Sequence, residues 1–247
     1  MTPNPILKVL STLSSRRVQY LLMGGQACVF YGAAEFSRDT DVAILAAPDN
    51  LARLTEALGE LQADCIAVPP FAVEYLHRGH AIHFRCRHPE ARDMRVDVMA
   101  VMRGVAPFDQ IWPRRTAFQA ADGTNIDVMG LEDLVRAKKT QRDKDWLMLR
   151  RLVEAHYAAH RDDPTPGQVA FWLQEGRTSP LLTALAGQYP ECAHAAAETR
   201  PLLASAIAGD EAALTAALRE EENREREADR AYWQPLKKEL EQLRHQR

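Results

Sequence analysis

Between Phe36 and Leu45 the chain reads Phe-Ser-Arg-Asp-Thr-Asp-Val-Ala-Ile-Leu, and this run limits the fold more than any other part of the 247 residues. Val42 to Leu45 is apolar, so the predicted strand extends back to Arg38. A period of two then sends Asp39 and Asp41 to one face and Thr40, Val42 and Ile44 to the other. Two carboxylates side by side repel each other and resist desolvation, so a strand rarely carries them for stability. Either they sit at a solvated strand end among acidic turn residues, or a cation joins them. Mg²⁺ takes one or two carboxylates together with the phosphates of its substrate, which suits Asp-x-Asp.

The residues before this strand add a turn. Ile6, Val9, Leu10 and Leu13 recur at helical spacing, predicting a helix over Pro5 to Arg17. Val18 to Met23 reads as a buried strand stopped by Gly24 and Gly25, and Gln26 to Tyr31 as a short helix. Glycines at such a junction let the backbone turn tightly and aim N–H groups at an anion, although the same pattern also makes a plain βα turn. Further on, His80 to His88 and Met94 to Met102 alternate about a turn at Pro89 to Asp93, which predicts a hairpin. Val96, Val98 and Ala100 share one face, Arg95, Asp97 and Met99 the other. In-register pairing would set His83, Arg85, Arg87 and Arg95 beside Asp97, giving a sheet with a dry side and a charged side.

Gly24-Gly25, Asp39-x-Asp41 and a later strand Asp97 together resemble the signature of the DNA polymerase β-like nucleotidyltransferase superfamily, in the flavour of its minimal and abortive-infection toxin members. The similarity continues through Val128-Met129-Gly130-Leu131-Glu132-Asp133-Leu134-Val135 to Lys138, Arg142, Lys144 and Asp145, and covers roughly residues 4 to 155. Thr40 departs from the aliphatic residue usual between the paired acids. Asp127 competes with Asp97 for the third carboxylate, and Asp97 is preferred because its hairpin precedes the Leu-Glu-Asp-Leu helix, as the family order requires.

The resemblance implies two Mg²⁺ ions held by Asp39, Asp41 and Asp97. It also implies a nucleoside triphosphate lying over Gly24 and Gly25, and an acceptor hydroxyl that attacks the α-phosphate and expels pyrophosphate. Such transfer rests on positioning and charge neutralisation, so cations are expected nearby. Arg38, Arg85, Arg87, Lys138, Lys139 and Arg142 are the candidates, with Arg38, Lys138 and Arg142 assigned to the nucleotide. A helix from Leu131 to Arg151 would also explain Lys138 and its neighbours as a solvated face.

Other constellations carry less. His77, His80, His83, Cys86 and His88 are dense enough to suggest zinc, but alternation divides them between faces, whereas structural zinc wants four converging ligands. His156 and His160 lack the glutamate of a metalloprotease pair and read as surface residues. Cys28, Cys65, Cys86 and Cys192 form no CxxC pair, which fits a reducing, cytoplasmic setting. Ser15-Arg16-Arg17 before an uncharged run could pass for an export signal, but Gly24-Gly25-Gln26 interrupts the apolar core, and no membrane span is expected.

Apolar residues at 46% and charged residues at 26% are globular values, and a net charge of −3 excludes a protein that coats nucleic acid by bulk charge. Beyond Arg161 a turn-rich stretch, Asp162 to Gly167, leads into short Ala/Leu-rich helices. A helix from Asp210 to about Trp233 follows, then a last one starting at Pro235. The expected class is therefore α+β: a nucleotidyltransferase-like mixed sheet with helices on one face over residues 1–160, then an α-helical region over 161–247. The expected activity is NMP transfer from an NTP to an RNA or tRNA 3′ end or a protein hydroxyl, as a toxin countered by an antitoxin protein. An aminoglycoside-like acceptor and a non-catalytic nucleotide-binding module are the alternatives.

Overall fold

The computed structural model describes residues 4–33, 39–120 and 122–245. Arg38, one of the expected nucleotide ligands, lies outside the described residues.

The described chain forms two compact units. The first contains α1 (Pro5–Ser15), β1 (Tyr20–Met23), α2 (Gly24–Phe30), β2 (Asp39–Ile44), α3 (Pro48–Glu60), β3 (Ala63–Cys65), α4 (Val73–Arg78), β4 (Ile82–Cys86), β5 (Arg95–Met99), α5 (Phe108–Ile111), β6 (Thr116–Gln119), β7 (Asn125–Val128) and α6 (Leu131–Ala137). Its seven strands make one mixed sheet in the order β3-β4-β5-β2-β1-β7-β6. β2 runs antiparallel to β1 and parallel to β5, and β4 and β5 form the expected hairpin.

The alternation read from the sequence sets the two faces. Thr40, Val42 and Ile44 are fully buried, as are Val96 and Val98 beside them. α1 covers this dry side: Tyr20, paired with Ile44, reaches back to Leu10 O at 3.5 Å and Ser14 Oγ at 3.1 Å. Asn50, wholly buried in α3, ties the adjoining ends of β1 and β2. Its Oδ1 accepts from Gln19 N at 2.7 Å, and its Nδ2 donates to Gln19 O at 3.0 Å and Leu45 O at 2.8 Å. A buried polar side chain is tolerated here because backbone groups satisfy it.

The second unit contains α7 (Asp143–His160), α8 (Pro166–Glu175), α9 (Ser179–Gln188), α10 (Pro190–Ala197) and α11 (Leu203–Ile207), with α12 (Glu211–His245) as far as Ala231. From Tyr232 onward, α12 belongs to the first unit. The turn-rich stretch 162–167 lies within the second unit, between α7 and α8. Thr165 there closes a reciprocal cap with Gln168 at the head of α8.

Two sequence expectations change. The single helix expected over 131–151 is two helices, α6 and α7, because Asp145 gathers side chains from the intervening 138–142 stretch. The final helix expected to start at Pro235 does not exist separately, since α12 runs through that proline. One proline removes one N–H, a local loss that a 35-residue helix absorbs. Among the described residues, no helix is long and apolar enough to cross a membrane.

Candidate active site

The register of three neighbouring strands assembles the site. Asp41 on β2 is opposite Asp97 on the parallel strand β5 and opposite Met23 on β1, while Asp39 is opposite Arg95. Paired residues on adjacent strands project to the same side, with strands about 4.8 Å apart. Asp39, Asp41, Asp97, Arg95 and His83 therefore share one face. Further along that face Leu21 and Ala43 are buried, and α2 packs on β1 and β2.

Gly24 joins β1 to α2 with φ at +68°, a backbone conformation that glycine adopts without strain. A Cβ built on it would overlap Asp41 Oδ2 and lie 2.6 Å from Asp41 Cγ. The missing side chain leaves room for the Asp41 carboxylate against the turn. The glycine expected to let backbone approach a phosphate thus also lets backbone approach the paired acids, and any ligand of Asp41 must lie close to this turn. Gly25 is buried in the first turn of α2.

Asp97 is held tightly. Its Oδ1 accepts from Arg95 Nε at 2.7 Å, and His83 Nδ1 stands 2.9 Å away. The same His83 nitrogen is 3.0 Å from Arg95 Nη2. One ring nitrogen cannot donate to Asp97 and accept from Arg95 at once, and we assign its hydrogen to the bond with the carboxylate. Burial pushes the Asp97 carboxyl up, but hydrogen bonds from His83 and Arg95 and their charges outweigh it and hold the group below the ordinary range. For Arg95, burial is likewise outweighed by the bond to Asp97 and the charges of Asp97, Asp39 and Asp41, so its pKa is raised further.

Of the cations expected beside Asp97, Arg95 and His83 are there. Arg85 is opposite Arg95 and exposed, and Arg87 lies beyond the end of β4, paired with Asp64. Asp127 also points to this side, but it is on β7, separated from β2 by β1, and bonds Arg115 Nε at 2.8 Å. Register therefore places Asp97, and not Asp127, next to Asp41.

The remaining expected nucleotide ligands lie in the second unit. Lys138 is buried and pairs with Asp145 at 3.2 Å, and Arg142 Nε donates to the other oxygen of the same carboxylate at 2.8 Å, with Thr140 Oγ1 at 2.6 Å. Burial raises the Asp145 carboxyl, and Lys138, Thr140 and Arg142 more than reverse this, leaving it lowered. These side chains order the stretch that leads into α7. Lys139 bonds Glu175 at 2.9 Å. Asp133, part of the Leu-Glu-Asp-Leu stretch, is fully buried in α6, where Arg114 donates to both its oxygens at 3.0 and 2.9 Å, a pairing that sequence reasoning misses. An arginine just ahead of β6 is no signal until the sheet brings it round.

Hard carboxylate oxygens at Asp39 and Asp41, with space left by Gly24, fit Mg²⁺ in donor chemistry. Among the described residues, no three or more His, Cys, Asp or Glu are gathered so as to hold a metal ion. The three acids are a strand pair plus a third, Asp97, that is turned to Arg95 and His83.

No known family matches the sequence, and no curated protein matches it. Among solved structures, the chain is similar to a candidate nucleotidyltransferase from H. pylori at 14% identity and a TM-score of 0.41, covering 89% of this chain and 92% of that one. It is also similar to JHP933 from Helicobacter pylori at 13% identity and a TM-score of 0.41, covering 94% and 95%. At this degree of likeness, function has to be read from the chain's own geometry.

Proposed function

We propose that the first unit is a metal-dependent nucleotidyltransferase, moving an NMP from a nucleoside triphosphate to an acceptor hydroxyl. The observation that carries this is the register: Asp41 opposite Asp97 on parallel strands, Asp39 two residues before it, and a side-chain-free Gly24 against the Asp41 carboxylate. Asp39 and Asp41 would hold Mg²⁺, which when bound supplies positive charge to the triphosphate and its leaving group. The Gly24 turn would border the phosphate chain, and Arg95 adds a fixed positive charge on the same face. Asp97, kept ionised by its partners, is placed to accept the proton of the attacking hydroxyl. The hydroxyl oxygen bonds to the α-phosphorus as the bond to the bridging oxygen breaks, and pyrophosphate departs with that electron pair.

The sequence resemblance supports an RNA or tRNA 3′ end or a protein hydroxyl as acceptor, and a toxin role answered by an antitoxin protein. The test is incubation with each α-³²P-labelled triphosphate and Mg²⁺ in the presence of total RNA, total protein or aminoglycosides. We expect label in RNA or protein, lost in Asp39→Ala and Asp41→Ala. Label only in aminoglycosides would change the acceptor class. Transfer undiminished in both variants would refute the assignment of the acids, and no label from any triphosphate would leave a binding module.

A further inference from the structure

The site face has two sides, and the strand order says which is left for the acceptor. The Gly24 turn, where β1 enters α2, stands against the Asp41 carboxylate. In the proposed reading the triphosphate borders that turn, on the β1 side of Asp41. Asp97, placed to take the proton of the attacking hydroxyl, is on the opposite side, on β5. The acceptor therefore lies over β5 and β4.

Two rows of side chains meet it there. One runs Asp41, Asp97, His83 across β2, β5 and β4; the other runs Asp39, Arg95, Arg85 and ends at Asp64 on β3. Arg85 is thus the diagonal neighbour of Asp97, about 7–8 Å away between Cα atoms and within the reach of a long side chain. Arg95 is bonded to Asp97, and Asp64 pairs with Arg87. The exposed Arg85 side chain has no hydrogen-bond or ion-pair partner among the described residues. Like charges directly opposite each other on a sheet are destabilising, so an anion held over Arg85 and Arg95 would relieve the hairpin.

That anion has to be joined to the attacking hydroxyl. At a polynucleotide 3′ end one sugar carries both the hydroxyl and a phosphodiester, whose oxygens match the guanidinium fork. A protein hydroxyl has no such anion on its own residue, and a polycationic aminoglycoside would bring positive charge against two arginines. We propose, resting on the nucleotidyltransferase reading, that Arg85 selects the acceptor: with Arg95 beside it, it binds the phosphodiester next to the attacking 3′ hydroxyl of a polynucleotide.

The test gives the full chain Mg²⁺, an α-³²P-labelled triphosphate and increasing total RNA or single-stranded DNA, with total protein and aminoglycosides as the other acceptors. We expect label in a polynucleotide, RNA or DNA. For that acceptor Arg85→Ala should raise KM about 10-fold, the low end of what a charged hydrogen bond contributes. It should also lower the slope of log KM against log salt by about 0.7, the share of one single-strand phosphate. The KM for the triphosphate should stay as it is, and Arg85→Lys, which keeps the charge, should keep the slope. Circular dichroism checks that each variant is folded, which the exposure of Arg85 favours. An unchanged polynucleotide KM in Arg85→Ala would overturn the inference, and an equal rise in the triphosphate KM would overturn it by assigning Arg85 to the nucleotide. Label confined to protein or aminoglycosides would overturn it and leave the nucleotidyltransferase reading standing. No label from any triphosphate would overturn both.

Discussion

Thr40 shows how a single position records the demands of both faces. It stands between the paired acids, yet it is fully buried on the opposite side, and its hydroxyl has no hydrogen-bond partner. A buried unpaired polar group costs about 1–3 kcal/mol. Thr40→Val, nearly isosteric, should therefore stabilise the chain by about 1 kcal/mol, read as a Tm rise of about 2–4 °C. A fall in Tm would mean the hydroxyl is satisfied. Gly24→Ala should act oppositely. Its positive φ strains any L side chain by about 1–2 kcal/mol, and the new methyl must displace Asp41. Misplacing a reacting group by even 1 Å can cost on the order of 100-fold, so transfer should fall by about that factor while the fold survives. Transfer at wild-type rate in a folded Gly24→Ala protein would show that Asp41 has no fixed place in the chemistry.

At the scale of elements, legibility follows the range of the cause. The β2 and β5 alternations were readable because period-two burial is a local property, and the hairpin of β4 and β5 because its turn is close in sequence. The contacts of Asp133 with Arg114, and of Asn50 with Gln19 and Leu45, were not readable: each needs two elements already docked. The break between α6 and α7 carries no local signal, because Lys138 and Arg142 have ordinary helical character, and only the convergence of Lys138, Thr140 and Arg142 on Asp145 marks it.

His156 escapes sequence reasoning for the same reason. Rather than a surface residue, it is half-buried on α7, and its Nδ1 accepts from Trp172 Nε1 at 2.9 Å. Burial, with the neighbouring His160, lowers its pKa to about 4. Between that value and the unfolded value of about 6.5 the unfolded chain binds more protons, so stability should fall as pH drops through this window and level off below it. Thermal melts across pH 3.5–7.5 should show this slope in the wild type and a shallower one in His156→Gln. Equal slopes would exclude the residue as its source.

For the whole molecule, the carboxylate faces of β2 and β5 were legible, because Asp39, Asp41 and Asp97 are polar exceptions within apolar strands, but the parallel pairing of those two strands was not. The route of α12 was not, since a proline near the end of a charged helix reads as a boundary. In the folded chain the part of α12 after Ala231 returns to the sheet unit. Glu239 bonds buried His80 at 2.8 Å and pairs with Arg78, and Leu236 is buried. Deleting residues 232–247 should remove about 3 kcal/mol from hydrogen-bonded and apolar contacts, lowering the calorimetric Tm by roughly 6–12 °C. An unchanged Tm would mean that this return is dispensable.

That return also orders events on the ribosome. The sheet unit has all its strands by Val128, but Tyr232 to Glu239 emerge only after the entire second unit has been translated. At roughly 5–20 residues per second, the nascent sheet waits roughly 5–20 seconds with His80 and the α4 surface uncovered. A premature stop anywhere in that interval yields a chain with every strand and all three acids, but with this surface left bare for chaperones or proteases.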